Sequence, residues 1–201
     1  EIMRSDGFMQ QGADPFIRLY QWESVSDSVW SRAYHAAVLA HESRHAWQFI
    51  EPRNALAMKR LLDTDTTGMA PLFITKVIEA DAASIDNLVQ YEVRNRLSRS
   101  NSDAQEPNER LRPDPAFPTN LADWKARYNP SKALSFALAE TFLHHAEKQG
   151  FYESRHHADL IAAADFDERW AAFNDEPSGP AMEFLHAVTR IPGTERSYIV
   201  D

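Results

Sequence analysis

The chain has no cysteine. Disulfides, thiolate zinc sites, iron–sulfur clusters and cysteine nucleophiles are therefore excluded. The compartment stays open, because a disulfide-free protein fits a cytoplasmic or a secreted location alike. Basic charge is in deficit: 21 Lys and Arg stand against 30 Asp and Glu, a formal net charge of -9. General nucleic-acid binders and anionic-membrane binders need a basic surface, so neither class is expected. Long apolar runs are also missing. None approaches the roughly 18 residues that suggest a membrane span. No basic-then-apolar signal segment opens the sequence, which starts at Glu1 and reads as a processed chain or an excised fragment.

What is present fits one domain, residues 1–201. Hydrophobic residues make up 43% and charged residues 25% of 201 positions, near the globular average and enough for a core without staples. No internal repeat is found. The first fifteen residues carry Gly, Asp and Pro and read as irregular. Residues 16–20 (FIRLY) alternate apolar and polar side chains, the pattern of a short half-buried strand. Ser24 or Ser26 caps a helix that should run to Ile50, ahead of Pro52. A short helix follows at Asn54–Leu62, then a turn at 64–68 (TDTTG). Pro71 opens a long helix to about Leu97. Residues 98–120, polar and with four prolines, read as one long flexible loop. Helices are expected from Leu121, from Pro130 to Gln149 with Gly150 as stop, at 153–164, 166–173 and 180–189. The tail SYIV (197–200) reads as a strand. The fold class is mainly α with a minor β component.

Residues 41–45 read HESRH. Two histidines four apart on a helix share one face, so both imidazoles can hold one zinc ion. Glu42 then lies beside the open position of the metal, where it can accept a proton from water. Trp30, Tyr34, Ala37, Val38, His41 and His45 fall on one stripe, so the ligands continue a buried face. Gln48, three residues after His45, suits a hydrogen bond to a ligand histidine or to a substrate carbonyl, or else an ordinary helix end. Arg44 suits a nearby acid or solvent.

A catalytic zinc needs a third protein ligand and an open fourth position. The metzincin pattern requires Gly at 48 and His at 51, where this chain has Gln48 and Glu51. The remaining arrangement is an acid on a later helix. VIEADAAS (77–84) supplies Glu79, 34 residues after His45.

HESRHAWQ with a later EADA resembles an uncharacterised bacterial family of zincin-type metallopeptidases that carry HExRHxxQ and EADA. It is also similar to gluzincins, which place a Glu-Ala pair on the second zinc helix. The resemblance rests on residues 38–49 and 77–84. It implies a reduced, mainly helical zincin fold with one zinc per chain. It also implies His41, His45 and Glu79 as ligands, Glu42 as catalytic base and a polypeptide substrate. Gluzincins often carry Asp four residues after the ligand Glu to support a histidine. Here that position is Ala83, which leaves the role unfilled or passes it to Asp81 or Asp86.

The helical wheel keeps Asp81 open as an alternative third ligand. Ile74, Ile78, Ile85 and Val89 define the apolar arc, with Asp81 inside it and Glu79 at its edge beside Ala82, Ala83 and Asp86. A buried carboxylate needs a metal, a His or an Arg, so Asp81 must have a partner. Tyr152, His144 and His156 are candidates to stabilise an oxyanion. Two rival readings stand beside the hydrolase. One is a non-catalytic helical binding module on a zincin scaffold. The other is a di-iron carboxylate protein built on the ExxH pairs Glu42–His45 and Glu153–His156 with Glu79 and Glu140 as single ligands. Its chain order is wrong and it leaves His41 without a role. Oligomeric state is not readable.

Overall fold

The computed structural model describes residues 7–10, 16–19, 29–100, 138–139, 142–143, 146, 150–175, 179–191 and 193–200. Within these the protein is mainly helical. A hairpin of β1 (Gly7–Gln10) and β2 (Phe16–Leu19) precedes three helices, α1 (Val29–Ile50), α2 (Pro52–Thr64) and α3 (Ala70–Ser100). Three shorter helices follow, α4 (Gly150–Ile161), α5 (Phe166–Asp175) and α6 (Gly179–Val188).

The strands are antiparallel, with Gly7 opposite Leu19 and Gln10 opposite Phe16, and both lie against α1. The strand expected at FIRLY is therefore present. Its partner falls inside the stretch read as irregular, because four residues among Gly, Asp and Pro carry no pattern until they are paired.

Helix α1 packs chiefly against α3, and this pair forms the frame of the site. Ala80, Ala82 and Ala83 are buried on α3. Small side chains there let two helix backbones approach closely enough for short polar side chains to meet between them. Helix α2 starts with Pro52 at its first turn, where a missing N–H costs nothing. It buries Asn54, Ala57 and Leu61, a stripe at helical spacing, and its main partner is α6. The core joins Ala57 and Leu61 to Met69, Ile74, Val77, Phe184 and Val188. An aromatic group closes it: Phe73 lies 5.2 Å from Phe173, which stacks on Trp170 at 5.9 Å.

The turn before α3 is built by Asp65. Its carboxylate accepts the backbone N–H of Thr67 and of Ala70 and the hydroxyl of Thr67. Burial alone would raise the Asp65 pKa, but these hydrogen bonds lower it. Gly68 sits at φ 72° in the same turn, a conformation that disfavours a side chain.

Several expected boundaries shift. Helix α2 runs two residues beyond both ends of Asn54–Leu62. Helix α3 continues to Ser100, because Ser98, Arg99 and Ser100 contain no breaker, so the polar segment 98–120 begins as helix. Gly150 is the first residue of α4, and the helix expected from Pro130 to Gln149 lies mostly outside the described residues. The tail is not a strand: it makes one antiparallel bridge, Arg190 with Ser197, and then turns. The chain enters this bridge straight from α6 and turns straight after it at 198–200, which leaves no extended residues for a ladder. The helix expected from Leu121 lies outside the described residues, as do His144 and His145.

Candidate metal centre

Helix α1 buries Glu42, Arg44, His45 and Gln48. Four polar side chains inside one helix are costly unless each meets a partner. Those meetings organise the site.

His41 and His45 stand one turn apart, as the i, i+4 spacing requires, with their Nε2 atoms 3.0 Å apart. Oε2 of Glu79, from α3, lies 3.6 Å from each. The three atoms form a triangle whose corners are all about 2.0 Å from one point, which matches the Zn–N and Zn–O bond lengths of protein sites. The group His41, His45 and Glu79 can hold a metal ion.

Hydrogen bonding fixes what these atoms present. The Gln48 amide nitrogen donates to the carbonyl of Ile78 at 2.9 Å and to Oδ2 of Asp81 at 2.7 Å. Both partners are pure acceptors, so the amide has one allowed orientation. Its Oε1 then faces Nδ1 of His45 at 2.8 Å and must receive a proton from it. Nδ1 of His41 likewise donates to Oδ2 of Asp86 at 2.9 Å. Each histidine thus turns an Nε2 lone pair toward the other and toward Glu79. Oε2 of Glu79 is buried and has no hydrogen-bond partner. Three acceptors facing one point repel each other unless a cation lies among them. A carboxylate or amide behind each histidine is the usual support of a metal-bound imidazole.

Without a metal, a proton is the available cation. Burial alone would lower the His41 pKa, but its hydrogen bond to Asp86 and the charges of Asp86 and Glu79 raise it from 6.5 to about 10. Burial likewise pushes Glu79 upward, and the two histidines override it and hold Glu79 at about 2. Burial raises Asp86 against the pull of His41. The same negative field that traps a proton would favour a dication.

Asp81 is placed elsewhere. It is 0% exposed and accepts four hydrogen bonds. Arg44 donates through Nε at 2.6 Å and Nη2 at 3.0 Å. Tyr198 donates its hydroxyl at 2.6 Å and Gln48 its amide at 2.7 Å. The partner demanded by the helical wheel is therefore Arg44, and Asp81 does not join the metal group. Arg44 also donates to the carbonyls of Val188 and Arg190 at 2.8 and 3.0 Å. The guanidinium lies 3.9 Å over the Trp47 ring.

Asp86 fills the supporting role that Ala83 leaves vacant. It lies seven residues after Glu79, so two helical turns bring it back to the same face. Periodicity carried this signal. Nothing local in the sequence links Tyr198 to Asp81. Glu42, next to His41 in sequence, is buried. His156 is exposed on α4, which does not suit the core ligand that the di-iron reading needs there. Among the described residues no helix is long and apolar enough to cross a membrane. Compared with known family models, curated proteins and solved structures, the chain matches none.

Proposed function

We propose that the protein is a zinc-dependent metallopeptidase of gluzincin type, with His41, His45 and Glu79 as ligands and Glu42 as general base. One observation carries this reading. Three ligand atoms converge on a point at zinc-bond distance, one of them the unpartnered buried Oε2 of Glu79, on an HExxH helix. Two nitrogens and one carboxylate oxygen form a donor set that suits zinc and leaves a fourth position open. Zinc held there supplies a Lewis acid that polarises a peptide carbonyl and acidifies water toward neutral pH.

The protein supplies the rest. Asp86 and Gln48 hold the two imidazoles with their Nε2 atoms inward. Glu42 follows His41 directly, so the helix carries its carboxylate with the first ligand. It accepts a proton from the attacking water and returns it to the leaving amine. A purely structural site has no need of that base, which favours hydrolysis over a binding module. The substrate class is polypeptide.

The test is Glu42→Gln assayed for zinc content and for cleavage of a peptide library. The variant should keep its metal and lose about 10²- to 10⁴-fold in rate. Zinc retained with wild-type cleavage would refute the proposal.

A further inference from the structure

Residues 188–191 and 193–200 form a strap that closes on itself and on the back of the candidate metal group. The backbone N–H of Ile191 donates to Arg196 at 2.8 Å, and that of Tyr198 to Thr189 at 3.1 Å. The hydroxyls of Thr189 and Ser197 pair at 2.7 Å. Arg44 gathers the carbonyls of Val188 and Arg190 into the same network. Tyr198 is thereby fixed, and its hydroxyl reaches Asp81 across 117 residues of sequence.

We propose that the strap belongs to the metal-binding apparatus, with Tyr198 and Gln48 as positioning residues for His45. The path has three steps. Tyr198 and Arg44 hold the Asp81 carboxylate. Asp81, with the Ile78 carbonyl, orients the Gln48 amide. Gln48 accepts the Nδ1 proton of His45 and leaves Nε2 as a ligand. An amide turned the other way would present N–H to Nδ1. It would push the proton to Nε2 and block ligation. The chemistry recognised is that of a divalent cation with nitrogen preference, so the inference rests on the metal reading above.

The test measures Zn²⁺ affinity by competition with a chromophoric chelator and the visible spectrum of the Co²⁺-loaded protein. Wild type, Gln48→Met and Tyr198→Phe are compared, each at a temperature where circular dichroism shows it folded. Phe184→Leu, a fully buried core change outside the network, controls for general loosening. Gln48→Met should lose about 10- to 100-fold in affinity and alter the Co²⁺ spectrum, as loss of such a support does. Tyr198→Phe removes one oxygen, and should fold even if Gln48→Met does not. It should lose about 3- to 10-fold, being one hydrogen bond further from the metal. Phe184→Leu should leave affinity and spectrum unchanged. Wild-type affinity and spectrum in Tyr198→Phe, or an equal loss in Phe184→Leu, would overturn the proposal while leaving the metal reading intact. A wild-type protein that binds neither ion would refute both.

Discussion

Replacing Arg44 by Met should be among the most damaging single changes in this protein. The Arg44–Asp81 pair is buried, with side chains 4% and 0% exposed. Methionine fills the space of the aliphatic stem, so lost packing is small. What is lost is the fork of two hydrogen bonds to Asp81, the two bonds to the Val188 and Arg190 carbonyls and the contact of the guanidinium with the Trp47 ring. Asp81 then keeps only Tyr198 and Gln48 as donors at a site closed to water. Breaking a buried pair from one side costs about 3–5 kcal/mol, because the remaining charge is left uncompensated. For a chain of this size that lowers Tm by about 6–20 °C. Urea unfolding followed by far-ultraviolet circular dichroism is the suitable assay, since Trp47 lies against Arg44 and its fluorescence would report the local change. The double variant Arg44→Met/Asp81→Leu removes both charges. It should lose less than the sum of the single losses by at least about 1 kcal/mol. A single-variant loss under about 1 kcal/mol, or strict additivity, would refute the buried-pair argument.

Other outcomes follow from the same geometry. Ala83→Leu should cost about 1–3 kcal/mol by overpacking and should weaken zinc binding by parting α1 and α3, read by melting and by chelator competition. Gly68→Ala should cost about 1–2 kcal/mol, measured by urea unfolding, since it forces a side chain into positive φ against Arg169 and is independent of any metal. Because the His41 pKa is raised to about 10, its contribution to the metal-free fold is complete below pH 6.5 and is lost as pH rises through about 10. Glu79, held at about 2, contributes above pH 4.5 and loses its share as pH falls through about 2. Urea midpoints of the metal-free protein should therefore fall between pH 7 and 10.5, and His41→Asn should flatten that slope.

The sequence disclosed the parts of the site that covalent spacing sets. His41 and His45 share a helix face whatever packs on it, and Glu79 and Asp86 repeat on α3 by the same rule. The choice between Glu79 and Asp81 was not legible from periodicity, because the wheel places Asp81 deeper. It is decided by Arg44, whose alternatives of solvent and acid only tertiary packing separates. Tyr198 and the strap are invisible locally for the same reason. The hairpin was half legible: alternation marked Phe16–Leu19, whereas Gly7–Gln10 is a strand only by virtue of its partner. Helix ends shifted where polar residues without Gly or Pro, as at Ser98–Ser100, permit another turn.

His41, His45 and Glu79 are the proposed metal ligands. The most direct test is elemental analysis of purified protein after equilibration with zinc and removal of loosely held ion, for wild type and His41→Ala. About one zinc per chain in the wild type, lost in the variant, is the expected result. No zinc in the wild type, or equal zinc in both, would contradict the account.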